Sequence, residues 1–165
     1  MKFIDVINSP QLSGYFRKRS DKWIAEFSAL VSKGKISDLE IGEKKSQAKQ
    51  LKIIKLSWLG FFLNHFWGAY HNSYLWLPIA IIFSTANAID LFIFDSQFGR
   101  GLSVVPGVIY AMYGKSYLLA AKARELRKTG SLAPPSWWRV TIAAGIFFAP
   151  PLIYFLVAGL TGTES

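Results

Sequence analysis

Cysteine is absent from the 165 residues, which excludes disulfides, thiolate metal sites and a cysteine nucleophile and leaves the redox compartment unmarked. Histidine is nearly absent. His65 and His71 are the only two, and a spacing of six does not aim two ligands from one helix face as i, i+4 does. With few carboxylates nearby to complete a set, neither a metal centre nor a cofactor is expected. Ser, Thr and Asn occur without the base and orienting acid of a triad, so no enzyme activity is expected. Gly99-Arg100-Gly101 is a tight turn without the βαβ context of a phosphate loop. No period of 20–50 residues recurs. Met1 to Pro10 lacks an apolar core after a basic start, so no cleaved signal peptide is expected.

Charge is scarce in one place and crowded in another. Residues 56–121 hold Asp90, Asp95, Arg100 and Lys115 as their formal charges, while the thirteen Phe, seven Tyr and six Trp fall mostly in the later part of the chain. A soluble core of this size could not bury so many apolar side chains, and leaving them in water would cause aggregation. A bilayer removes the difficulty. Three stretches, 75–94, 101–121 and 140–160, approach the ~20 residues that cross a hydrocarbon core about 30 Å thick. A fourth, 56–70, is shorter and aromatic, with Trp58, Phe61, Phe62, Phe66 and Trp67 around Asn64 and His65.

The net charge of +9 suits phosphate binding, but its placement fits membrane topology better, so no nucleic-acid partner is expected. Of the 19 Lys and Arg, twelve lie in residues 1–55 and five in 122–139 (Lys122, Arg124, Arg127, Lys128, Arg139); the other two are Arg100 and Lys115. Basic loops stay cytoplasmic, so an even number of crossings must separate the two basic regions. Counting 56–70 as a crossing would break that parity. The expected architecture is therefore an all-α membrane protein of a bacterial plasma (inner) membrane. It has a basic cytoplasmic helical segment (1–55), an aromatic interfacial or re-entrant element (56–74), a membrane domain with three spans (75–160) and a short tail (161–165). The N-terminus is inside and the C-terminus outside.

Ser9-Pro10 reads as a helix start. Trp23, Phe27, Leu30 and Val31 form one apolar helical stripe, and Gly34 sits where a helix-ending residue of positive φ is wanted. Residues 43–55, EKKSQAKQLKIIK, form a Lys-rich helical approach to the membrane; each Lys near an anionic leaflet contributes about 1 kcal/mol. Trp23, Phe27, Leu30, Lys44, Lys45, Lys49 and Lys52 are accordingly the candidate surface for anionic lipids or a protein partner. Pro134-Pro135 breaks the helix after the second span, and Trp137-Trp138-Arg139 marks an interface.

The string SWLGFFLNHFWGAYHNSYLW at 57–76, followed by Tyr110-Ala111-Met112-Tyr113-Gly114-Lys115-Ser116-Tyr117 and the basic run 122–128, resembles a broad bacterial membrane family, the domain-of-unknown-function 2628 family. The resemblance covers roughly residues 50–130 and departs at Asn64-His65, where many members carry Phe-Gly. It implies a membrane location and no activity.

A charge at the centre of a span costs about 2.5–3.5 kcal/mol and is a functional candidate by default. Asp90, with Asn87 and Ser84 on its face, and Lys115 form the candidate intramembrane polar site. At 1.5 Å per residue the Cα heights of Asp90 and Lys115 differ by about 13 Å, so each is expected to reach its own interface instead of pairing. Small residues every fourth position let backbones approach: Ala80, Ser84 and Ala88 on the first span, Ser103, Gly107 and Ala111 on the second, Gly145 and Ala149 on the third. Pro150-Pro151 should kink the third span. The function this favours is a non-enzymatic anchor, scaffold or modulator subunit of a larger envelope assembly, with a small oligomeric transporter or ion-channel subunit as the alternative.

Overall fold

Serine before proline starts a helix well, because the serine oxygen takes a free N–H and the proline has none to satisfy. After a short helix α1 (Phe3–Ile7), Ser9 Oγ accepts the Leu12 N–H at 3.2 Å and α2 runs Pro10–Phe16. A 3-10 turn, Arg17–Arg19, leads into α3 (Ser20–Gly34). The computed structural model describes residues 1–42, 50, 52–73, 76–94 and 104–161. Among these every named element is helical, and the one extended pairing is an isolated bridge between Lys2 and Glu40.

The apolar stripe of α3 faces inward. Phe27, Leu30 and Val31 are buried with Phe3, Val6, Ile7, Leu12 and Ile36, and Trp23 stacks on Phe16 at 4.7 Å. The expectation of a stripe free for a partner is corrected for Phe27 and Leu30. The remaining wall of this core is Leu118, Leu119, Ala123 and Leu126, from the last turns of a long helix met below. The left-handed residue that ends α3 is Lys35 (φ 51, ψ 43), not Gly34. Gly34 serves a different need, since a Cβ there would collide with the Ile53 side chain. Lys52 is exposed in a turn, and residues 53–57 have no regular structure, so the helix expected over 43–55 does not include them; residues 43–49 and 51 lie outside the described residues. The reason is a set of bonds to the long helix, with Lys55 N–H donating to the Met112 carbonyl (3.0 Å) and Ser57 N–H to that of Ala111 (2.8 Å).

Helix α4 (Trp58–Tyr70) starts on Ser57, whose side chain accepts the Gly60 N–H at 3.2 Å. It is interrupted at Asn64 (φ 30, ψ −116), a residue type that enters positive φ more readily than most. The Asn64 side-chain oxygen takes the His65 N–H. The chain reverses there. Before the break its neighbours descend the long helix α6 (Val104–Thr129): Ile53 O accepts from Ser116 Oγ at 2.7 Å, Ser57 meets Ala111, and Phe61 O would lie 2.9 Å from a Cβ on Gly107. After the break they climb again, with Trp67 against Gly114 and Asn72, Ser73 and Trp76 beside Ala121, Arg124 and Glu125. The aromatic element is a helical hairpin that enters and leaves at the same end of α6. Glycines on both partners permit the approach: a Cβ on Gly60 would come within 2.5 Å of the Tyr110 carbonyl, and one on Gly68 equally close to the Tyr110 hydroxyl.

Helix α5 (Trp76–Ile89) continues as a π-helical segment, Asp90–Phe94, and α7 spans Trp137–Thr161. The two run parallel, since Phe83 stacks on Phe147 (5.4 Å) and Phe92 meets Tyr154 (5.7 Å). Proline at 150 has no N–H, so the Ile146 carbonyl four residues earlier loses its helical donor. Ser84 Oγ of α5 supplies one at 2.7 Å. A hydroxyl from a neighbouring helix thus satisfies the carbonyl that an interior proline frees.

Among the described residues one helix, Trp137–Leu160, is long and apolar enough to cross a membrane, and 11% of its most apolar stretch is buried. Trp76–Phe92 is a shorter apolar helix. Helix α6 devotes its last turns, from Lys122, to charged residues and the N-terminal core. The three spans expected from sequence thus reduce to one helix of full length and apolarity. Exposed apolar side chains form a girdle that continues on the neighbouring elements: Trp58, Phe62 and Leu63 on the hairpin, Ile81 and Ile82 on α5, Val104 and Val105 on α6, and Leu152, Phe155 and Leu156 on α7.

Candidate functional site

The N-terminal helices, the hairpin and α6 converge on a small polar cluster enclosed by rings. Tyr15 near the end of α2 places its hydroxyl 3.0 Å from His71 Nδ1 and 3.4 Å from the His71 carbonyl oxygen. Phe16, Trp23, Trp67 and Tyr70 pack around the imidazole. Lys122 of α6 is fully buried. Its ammonium lies 4.3 Å above the Tyr15 ring and 2.9 Å from Glu125 Oε2, a cation–π contact and an ion pair at one centre. The other Glu125 oxygen accepts the Ala133 N–H at 2.6 Å, so this carboxylate also fixes the loop leading to α7.

The electrostatics follow from burial. The His71 pKa is lowered to about 4, first by desolvation and then by the Lys122 charge, so the ring is neutral at physiological pH. Burial, reinforced by Glu125, raises the Tyr15 hydroxyl, which stays protonated. Burial pushes the Lys122 ammonium down, and the Glu125 hydrogen bond and charge oppose that. Each group is partnered, and the cluster ties together four parts of the chain.

Two cavities flank it. One, about 620 Å³, is lined by Phe16, Trp23, Leu59, Leu63, Phe66, Trp67, Trp137 and Val140, with Tyr15, Arg19, Tyr70, His71 and Pro135 completing the wall. The second, about 540 Å³, is lined by Gln11, Gly14, Arg17, Ser131, Leu132 and Pro134 and shares Tyr15, Phe16, Tyr70 and Pro135 with the first.

The residues nominated from sequence are scattered. Lys115 forms an ion pair with Glu26 of α3 at 2.7 Å, fastening the long helix to the N-terminal layer, and Asp90 opens the π-helical segment. Asn87 is half-buried on α5, and Ser84 is committed to the Ile146 carbonyl. Trp23 alone of the stripe reaches a cavity. Gly107 and Ala111 pack against the hairpin. Gly145 does not pack within the chain, because a Cβ there would meet nothing within 4 Å; Ala149 is half-buried. Lys44, Lys45, Lys49 and Ser103 lie outside the described residues. Among the described residues no group of three or more His, Asp or Glu could hold a metal ion.

Sequence reasoning missed Tyr15, Lys122 and Glu125 as a unit with His71. The local signal was the i, i+3 pair Lys122–Glu125 inside a run otherwise read as a topology determinant; nothing local joins it to Tyr15. A scan of protein-family models, a search of curated proteins and a search of solved structures each return no match for this chain.

Proposed function

We propose that the chain is a multi-pass protein of a bacterial inner membrane that holds a basic helical layer against the cytoplasmic leaflet, as a non-enzymatic anchor or modulator subunit of a larger envelope assembly. One observation carries the membrane reading: the most apolar helix is 11% buried over its span-length stretch, whereas the core helix of a soluble protein hides most of its surface. The girdle on the hairpin, α5 and α6 extends that surface around the body, and Trp137 and Trp138 (72% and 61% exposed) stand at its edge as interfacial rings do. In this reading α5 with its π-segment, the first half of α6 and α7 are the three spans, and the hairpin is re-entrant. Both basic regions then face the cytoplasm and the C-terminus faces out. Kinship with the domain-of-unknown-function 2628 family belongs to this reading and adds no activity.

The absence of cysteine makes topology directly testable. Single variants Lys18→Cys and Glu164→Cys in intact cells should respond oppositely to a membrane-impermeant maleimide, with only the second labelled, and Leu63→Cys should stay unlabelled. Labelling of Lys18→Cys from outside would reverse the orientation. For the subunit role, purification of the intact chain in mild detergent should bring down a defined protein set. Recovering only what an unrelated three-span control recovers would refute it.

The alternative, a small oligomeric transporter or ion-channel subunit, is favoured by the π-helical segment that opens on Asp90, since such segments concentrate at functional positions. Wild-type ion flux in liposomes that vanishes in Asp90→Asn would select it; background flux from both would discard it.

A further inference from the structure

The two cavities form one graded groove. At its apolar end Leu59 and Leu63 are 56% and 44% exposed, on the girdle side of the hairpin, and Val140 sits one turn beyond the interfacial Trp137. At the shared wall the lining becomes aromatic and polar, with Tyr15 and Tyr70. At the water end the 3-10 turn contributes Arg19 to the first cavity and Arg17 to the second. Arg17, Lys18 and Arg19 are all exposed, and among the described residues none of the three forms an ion pair.

A ligand complementary to that gradient must be apolar at one end, anionic at the other, and narrow between. A soluble anion would satisfy the arginines and leave the aromatic cavity open to water. A peptide would need backbone donors and acceptors, and the apolar end offers it side-chain rings and aliphatic groups. A volume of about 620 Å³ falls within the roughly 300–1,000 Å³ of sites that enclose small ligands. The groove also meets the girdle at the level where a leaflet would supply acyl chains. We propose that it holds one anionic phospholipid of the cytoplasmic leaflet, with its phosphate against Arg17 and Arg19 and one acyl chain between the hairpin and α7. This inference rests on the integral-membrane reading.

Specific seating differs from diffuse attraction in which charges matter. Lys18 and Lys22 are exposed neighbours of the same sign that line neither cavity. A general basic surface would weaken equally on losing either pair of charges; a built site would not.

The test uses the full chain in mild detergent, with phosphatidylglycerol, phosphatidylcholine and inorganic phosphate added separately and retained lipid counted by native mass spectrometry. One phosphatidylglycerol should be retained per chain in preference to phosphatidylcholine. Arg17→Gln/Arg19→Gln should weaken that preference roughly 25-fold, about fivefold per arginine, whereas Lys18→Gln/Lys22→Gln should change it less than twofold. Val140→Trp should reduce retention of both lipids; the arginine pair, on exposed side chains, keeps the test independent of any folding defect in that variant. Equal losses from the two charge pairs, equal retention of both lipids, or displacement of lipid by inorganic phosphate would each overturn the inference. Alkaline carbonate extraction separates the two levels. A chain released from membranes sinks the membrane reading, whereas a chain that stays but retains lipid unselectively sinks only this one.

Discussion

The two ends of α6 solve opposite problems with the same kind of residue. Near its start, Val104, Val105 and Val108 are 50%, 49% and 40% exposed; near its end, Leu118, Leu119, Ala123 and Leu126 are buried against α1 and α3. On the proposed membrane reading, aliphatic side chains point outward where the surroundings are apolar and inward where water must be excluded. Between the two regimes sits Lys115, paired with Glu26, and within the second sits Lys122, paired with Glu125. The contrast extends to other helices: α3 hides its stripe, whereas α7 exposes Leu152, Phe155 and Leu156. Burial within the chain is therefore no measure of how apolar a helix is here. On the proposed membrane reading it reports which solvent the helix meets.

The sharpest way to break this comparison is to truncate one side chain on each side of it. Phe27→Ala, at a position with no exposure, should cost about 3–5 kcal/mol. Leu156→Ala, at 66% exposure, should stay within about 0.5 kcal/mol. Thermal unfolding in detergent compares the two, and equal costs would erase the distinction. Next is the buried pair at the junction. Glu125→Ala leaves the Lys122 ammonium buried beside Tyr15 without its anion and should cost about 3 kcal/mol, with Lys122→Met/Glu125→Gln recovering most of the loss. A single variant no worse than the double would show that the ion pair has no part in holding the layers together.

Acid probes the same junction more gently. His71 titrates near 4 in the folded chain against an ordinary 6.5, so the unfolded chain takes up a proton that the folded one refuses. Stability held above about pH 6.5 should fall progressively as pH drops toward 4, and His71→Phe should remove that part of the slope. The smallest effect belongs inside the bundle. Ser84→Ala strips the Ile146 carbonyl of its donor and should cost about 0.6–1.7 kcal/mol, the range of interhelical hydrogen bonds within membranes. In a Pro150→Ala background, where residue 150 regains its N–H, the cost should disappear; a cost that persists would mean the serine acts elsewhere.

Much of the helical layout was legible from local rules. Ser9-Pro10 begins a helix where capping chemistry asks for one, the stretch expected over 140–160 is the helix Trp137–Thr161, and that over 75–94 is Trp76–Ile89 with its π-helical continuation. The break at Asn64 within 58–70 has no local signal beyond the residue type. What could not be read was which surface covers which. An amphipathic stripe announces that Phe27 and Leu30 need a cover, but not that the last turns of α6 provide it. Those turns carry basic residues on their other side and read as a topology signal. In sequence Ser84 is a polar residue near Asp90 and Pro150 a kink, yet their complementarity depends on the parallel register of α5 and α7, which no local pattern encodes.

The wall that α6 contributes to the N-terminal core also dictates an order of events during synthesis. Residues 1–42 emerge first, with Phe27, Leu30 and Ile41 in search of Leu118, Leu119 and Leu126, which are made some 75 residues later. At 5–20 residues per second that interval lasts roughly 4–15 s. Throughout it the basic N-terminal layer carries an incomplete apolar surface while the hairpin and α5 are being made. The N-terminal layer can close only when α6 arrives, so its maturation waits on synthesis of the rest of the helical body. A stalled chain truncated before Leu118 should bind chaperones that the finished protein does not.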